Sequence, residues 1–273
     1  MDALKKIKSR YSYSVILLRQ LVITDFKLRY QGSALGYVWS LLRPLFLFVI
    51  LYVVFVKFMR FGSDVPHFPV YLLMGIVVWN FFAEITTTSI NAVVGHGDII
   101  RKLNFPKYVL IVSTAFSALI NLLLNSIVIA VFMVLSGVEV GTTIVLTPIF
   151  IMEVFVFSLA LGFILSALFV RLRDINYIWE VIMQALFYLT PIIYPLSLVT
   201  ERWPEMAKFL LFNPVAQAIQ DIRQVTVTPE TVTLSELTGR WYIGLLPVAM
   251  VVIIAVFAAL LFKKRSPYFA EEV

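Results

Sequence analysis

Residues 108–135 read YVLIVSTAFSALINLLLNSIVIAVFMVL. No charged residue interrupts the run, and it exceeds the ~20 helical residues needed to cross a hydrocarbon core of ~30 Å. The rest of the chain has the same character. Of its 273 residues, 61% are hydrophobic and only 14% are charged, against about half and about a quarter in an average globular chain. A soluble surface needs charge, so this composition excludes an ordinary soluble domain, a disordered chain and a nucleic-acid-binding module. The class that remains is an all-α polytopic membrane protein.

Working outward from that run, the sequence predicts six transmembrane helices. The first covers residues 35–59 and carries Arg43-Pro44 near its start. The others cover 68–90, 108–135, 143–170, 177–196 and 241–262. An even number puts both termini on one side. Most of the 22 Lys and Arg residues lie in the N-terminal flank up to Arg43, in the loop with Arg101, Lys102 and Lys107, beside Arg171 and Arg173, and in the tail at Lys263, Lys264 and Arg265. The positive-inside rule makes these segments, and both termini, cytoplasmic. In this setting the net charge of +6 marks membrane flanks rather than a nucleic-acid partner. The charged, interrupted first 30 residues do not read as a removable signal peptide.

Two segments read as more than loops. Residues 1–34 form a cytoplasmic interface region, helical from about residue 5. Gln20, Thr24 and Lys27 share one face there, and Val15, Val22 and Phe26 another. The favoured reading is an amphipathic helix along the membrane surface. Arg19 near its apolar face leaves open a basic anchor that only sets topology. The segment 197–240 contains an apolar stretch, 209–219, that is too short to span and is interrupted by Asn213-Pro214. It predicts external re-entrant helices between spans five and six. Residues 225–238 alternate Val and Thr and predict an exposed extended loop.

Most enzyme chemistry fails on inspection. Gly95-His96-Gly97-Asp98 matches the GxGD pattern of intramembrane aspartyl proteases, which need a second carboxylate within the membrane. No Tyr-Asp pair supplies one, and Asp98 sits beside Arg101 and Lys102. HExxH and GxSxG are absent, and with no Gly-Lys dipeptide there is no phosphate-cradling P-loop. Cysteine is absent and the only histidines are His67 and His96, which leaves no metal site to propose. No catalytic residue and no cofactor is assigned to this chain, and any ATP must be bound by another.

Intramembrane carboxylates remain. Glu84 lies on a polar face with Asn80, Thr86, Thr87, Thr88 and Asn91. Such a face serves either a transport path or helix-helix hydrogen bonding. Glu180 is placed to pair with Arg171 or Arg173, and Glu153 has no evident partner. Tyr52 and Tyr188, near mid-membrane, need partners for their hydroxyls and are expected to face a lumen. Tyr177, Trp179 and Tyr194 fit an interfacial aromatic belt.

The stretch from Asp25 to Pro44, DFKLRYQGSALGYVWSLLRP, resembles the start of permeases of ABC-2-type polysaccharide exporters. Asn104-Phe105-Pro106-Lys107, and Asn213-Pro214 followed by Arg223, fit that family's cytoplasmic loop and external region. The resemblance covers essentially the whole chain as one domain, and within the family it is strongest to wall teichoic acid translocation permeases. Arg43 departs from it, at a position where many relatives are expected to be neutral.

The resemblance implies a homodimer bound to two copies of an ABC ATPase, which would use ATP and Mg. It places the complex in the plasma membrane of a bacterium, among membrane lipids. The cargo would be a lipid-linked anionic polysaccharide, most simply teichoic acid, with O-antigen or capsular polysaccharide as the alternative. Lys27, Arg29, Arg43, Tyr52, Glu84 and Tyr188 become substrate-path candidates, with spans one and five lining the path. Residues 95–106 would be a coupling helix. Asp98, Arg101, Lys102 and Phe105 would be its exposed ATPase contacts, with Arg173 and Asp174 in a second loop. Residues 201–223 would form external gate helices carrying Trp203, Asn213, Pro214 and Arg223. An ion-coupled transporter using Glu84 and Glu153, and an ABC-2 drug or lipid exporter, remain as competing readings.

Overall fold

A computed structural model describes residues 14–25, 27, 36, 38–60, 65–102 and 105–272. Every regular element among them is helical. Five helical segments are long and apolar enough to cross a membrane: Val38–Phe58, Phe68–Ala92, Tyr108–Leu135, Thr142–Phe169 and Trp241–Glu272. The chain is a multi-span membrane protein.

Residues 14–25 form α1. The first half of the predicted interface helix, and Arg29, lie outside the described residues. Helix α2, Val38–Leu51, contains Pro44 and continues as a seven-residue π-helix, Tyr52–Phe58. Helix α3, Phe68–Ala92, is the centre of the bundle. It is 78% buried in its most apolar stretch, against 11% for the α2 segment. It packs against α5, Tyr108–Leu135, and α6, Thr147–Phe169. Small residues allow the close approach. A Cβ on Gly162 of α6 would collide with Ser89 of α3, and Ser89 shares a hydrogen bond with Thr114 of α5 at 3.1 Å.

The predicted fifth span differs. It is α7, Ile175–Leu189, of 15 residues, about 22 Å at 1.5 Å per residue and short of a full crossing. Thr190 is extended (φ −77°, ψ 133°), because the residue before a proline is disfavoured in the helical region. The apolar sequence runs on past Pro191, but the helix does not.

The segment after α7 is a compact cap. Helices α8 (Ser197–Arg202), α9 (Pro204–Leu211), α10 (Pro214–Thr226) and α11 (Leu234–Thr238) gather around buried Leu196, Ala207, Leu211, Ala216 and Leu234. The break between α9 and α10 falls at Asn213-Pro214. Asn213 caps α10 by accepting from the Val215 amide at 3.0 Å, and Pro214 opens its first turn. The exposed loop expected at 225–238 is instead buried: Thr226, Thr228, Thr231 and Thr233 are all 5% exposed or less. Thr226 and Thr231 donate to the carbonyls of Ile222 and Thr228, and Thr233 with Glu236 forms a capping box for α11. Hydroxyls tied to local backbone are buried without an unpaired donor.

Helix α12, Leu245–Arg265, packs on α6. The expected tail is folded. A short helix α13, Phe269–Glu272, lies against α4, Gly97–Lys102. Phe269 is fully buried with Ala92, Ile100, Phe105, Leu110 and Phe262. Leu17 and Leu21 of α1 pack against the same cluster.

Candidate functional site

Helices α2, α3 and α5 enclose a polar cleft of about 570 Å³. From α2 come Trp39, Ser40, Arg43 and Pro44. From α3 come Asn80, Ala83, Glu84, Thr87 and Thr88, and from α5 come Asn121 and Asn125. The α3 residues share one face because they recur at helical spacing. Their hydroxyls are tolerated in an apolar bundle because they donate to their own helix. Thr87 donates to the Ala83 carbonyl and Thr88 to the Glu84 carbonyl, each at 2.7 Å. What they present outward is acceptor oxygen.

The Glu84 carboxylate is held by Asn121, whose Nδ2 donates to Oε1 at 2.7 Å. Asn125 donates to the Asn121 carbonyl at 2.8 Å and to the Ser40 carbonyl at 3.3 Å, which ties α5 to α2. Asn121 is only 6% exposed, and its Oδ1 is buried with no hydrogen-bond donor. Arg43 makes no hydrogen bond or ion pair among the described residues. The cleft therefore presents unused donors at one wall and unused acceptors at the other.

Two of the six predicted path residues meet here, Arg43 and Glu84. The other four do not. Tyr52 opens the π-helix and packs on Phe48 at 5.7 Å between ring centroids. Tyr188 is exposed on α7, which packs on the opposite side of α3 where Trp79 meets Phe187. Lys27 is exposed beyond α1, and Arg29 lies outside the described residues. The cleft belongs to spans one, two and three, whereas one and five were expected to line the path. Asn121 and Asn125 escaped the sequence reading, although an i, i+4 pair of amides in an uncharged apolar run was a usable signal.

At the far end of α3 lies the predicted coupling loop. Only Gly97–Lys102 is α-helical within 95–106, after a 3-10 turn at Val94–His96. Residues 103 and 104 lie outside the described residues. Asp98 and Arg101 face solvent and pair at 3.6 Å, and Lys102 is also exposed. Phe105, expected as an exposed contact, is buried instead. It completes the cluster around Phe269, because an aromatic ring gains more from an apolar niche than from solvent. Arg173 and Asp174 are exposed, with Arg173 against the Phe169 ring at 5.2 Å. Arg171 faces Glu272 at 3.9 Å rather than Glu180.

The predicted gate residues fall into two kinds. Trp203 is exposed between α8 and α9. Asn213 and Pro214 shape the start of α10. Arg223 is fully buried. Its guanidinium donates to the carbonyls of Tyr71 (2.9 Å), Pro191 (2.6 Å) and Ile192 (2.9 Å) and to Gln220 Oε1 (2.9 Å), and it stacks 3.6 Å from the Tyr71 ring centroid. Two of those carbonyls belong to the turn after α7. The guanidinium supplies the donors that the broken helix lacks.

A profile described as ABC-2 type transporter matches residues 16–226. The chain belongs to the ABC-2 type transporter family. Its relatives share it nearly end to end. An O-antigen export system permease protein RfbA of Myxococcus xanthus is 27% identical over 273 residues, covering 99% of this chain and all of that protein. An RfbA of Klebsiella pneumoniae is 28% identical over 272 residues, covering 97% of this chain and 98% of that protein. The polysialic acid transport protein KpsM of Escherichia coli is 20% identical over 222 residues, 81% of this chain and 84% of that protein. For an ABC-2 chain the two regions above gain a context: a polar cleft among its spans, and an exposed charged helix at one end of the bundle.

Proposed function

We propose that this chain is the permease subunit of an ATP-driven exporter that carries a lipid-linked polysaccharide of the O-antigen or capsular class across a bacterial plasma membrane. The full-length likeness to the RfbA permeases carries the reading, and the likeness to KpsM extends it to capsule-type polymers. None of these three relatives is named for teichoic acid, so the alternative cargo replaces the one favoured from sequence.

In this reading the chain is a homodimer with two ATPase subunits, which hold ATP and Mg, and both termini are cytoplasmic. Force from the ATPase enters through α4, whose Asp98, Arg101 and Lys102 face outward, and through Arg173 and Asp174. Arg43 attracts the anionic head of the cargo where the dielectric falls.

The test is co-expression with the neighbouring ATPase gene product, purification, and ATP hydrolysis in lipid with and without lipid-linked polysaccharide. A stable complex whose hydrolysis rises with that substrate supports the reading. A chain that purifies alone and transports on an ion gradient overturns it and turns attention to Glu84 and Glu153.

A further inference from the structure

We propose, resting on the permease reading, that the cleft between α2, α3 and α5 binds one sugar unit bearing an anionic group, a glycosyl phosphate in its simplest form. The geometry separates this from simpler occupants. The cleft volume of about 570 Å³ falls in the range of roughly 300–1,000 Å³ typical of small-molecule sites. It lies within membrane-crossing helices, where polar side chains are costly and occur mainly where they line a cavity or pair with one another.

The hydrogen-bonding groups define what fits. The Asn121 amide is fixed by its bond to Glu84, so its buried Oδ1 faces the need for a donor. Thr87 and Thr88 have their protons engaged with backbone carbonyls and offer acceptors. Arg43 offers only donors and carries positive charge. Asn80 makes no side-chain hydrogen bond among the described residues and offers both.

A simple anion satisfies Arg43 but is repelled by Glu84. A simple cation satisfies the Glu84 wall but is repelled by Arg43. An acyl chain leaves both walls unpaired. A polyol with a phosphate serves both, its hydroxyls at Asn80 and Asn121 and its anionic group at Arg43. The Trp39 indole at the rim offers a flat apolar surface for the C–H face of a sugar ring.

The experiment uses the purified permease–ATPase complex in nanodiscs and measures binding of four probes: glucose 1-phosphate, a short-chain prenyl diphosphoryl N-acetylglucosamine, free glucose and inorganic phosphate. Tighter binding of the lipid-linked probe assigns the cleft to a membrane-borne source, and equal binding assigns it to a soluble sugar phosphate. Asn121→Leu and Asn80→Leu should each weaken the sugar-phosphate probes about tenfold and leave inorganic phosphate unchanged. Arg43→Gln should weaken both kinds. Asn80→Leu keeps the test open should Asn121→Leu fail to fold, because Asn80 supports no other side chain.

Inorganic phosphate binding as tightly as glucose 1-phosphate would overturn the proposal, as would wild-type affinity in both leucine variants. A complex that hydrolyses ATP in response to lipid-linked polysaccharide while the cleft variants bind normally defeats this inference alone. Absence of any ATPase partner defeats the permease reading instead.

Discussion

Gly75 and Arg223 share one space. A Cβ on Gly75 of α3 would run into the guanidinium of Arg223 on α10. The glycine is therefore the hollow into which the arginine fits, and the two tie the central helix to the cap. Gly75→Ala should destabilise the protein by about 1–3 kcal/mol through overpacking, read as a lower Tm in detergent. Arg223→Leu should cost more, since each carbonyl left without a donor costs about 1–3 kcal/mol. Arg223→Lys should not rescue it, because an ammonium does not reproduce the planar fork. A wild-type Tm in Arg223→Leu would mean the clamp contributes nothing.

Asp221 should make the cap sensitive to pH. Burial, opposed by the Gln217 hydrogen bond and reinforced by Glu236, pushes its carboxyl up from the ordinary 3.8 to about 6. Glu153 of α6 also lies within repelling distance of it. Between about pH 4 and 6 the folded chain holds this proton more tightly than the unfolded chain. Stability from this group therefore falls as pH rises through that window and stays reduced above it. Asp221→Asn keeps an oxygen for the Gln217 bond of 2.8 Å and removes the charge. It should raise Tm at pH 7.5 and give no gain at pH 4. An equal gain at both values would rule out titration as the cause.

Phe269 holds α13 onto α4. Phe269→Ala should cost about 3–5 kcal/mol of local packing and loosen α4 first. Hydrogen exchange of the α4 amides should rise while exchange in the centre of α3 stays slow. Uniformly unchanged exchange would show that the cluster survives without the ring.

Replacing Asp98, Arg101 and Lys102 together with serine should change stability by no more than about 0.5 kcal/mol per site, since all three are exposed. The same variant should lose its ATPase subunit on co-purification or hydrolyse ATP without export. If association and transport both survive, α4 is not the coupling contact.

Much of this architecture is legible in the chain because run length and charge report directly on lipid. The segments 108–135 and 68–92 are cases in which nothing competes with hydropathy. The break at Thr190 was written in the sequence as Thr-Pro, but hydropathy carries no information about a missing amide donor. Phe105 sits in a charged loop, and only the arrival of α13 reveals that it points inward. At the cleft, Arg43 and Glu84 stand out because charge in an apolar run is conspicuous. Asn121 does not, since its meaning depends on a carboxylate 37 residues away on another helix. The buried threonines of 226–233 defeat alternation for a similar reason: a hydroxyl bonded to its own backbone behaves as an apolar group.

The joining of α4 to α13 also sets an order of events. The Lys107 ammonium reaches the Ser266 carbonyl at 2.8 Å across 159 residues of sequence. While the chain is being made, α4 enters the cytoplasm-facing or opposite compartment with its apolar underside bare, and it stays so until α5, α6, α7 and α12 have been threaded into the bilayer. Its outer surface thus acquires a firm backing only after the last membrane helix is in place. A nascent or truncated chain would offer a visiting subunit a wobbling foothold, and the finished one a rigid step.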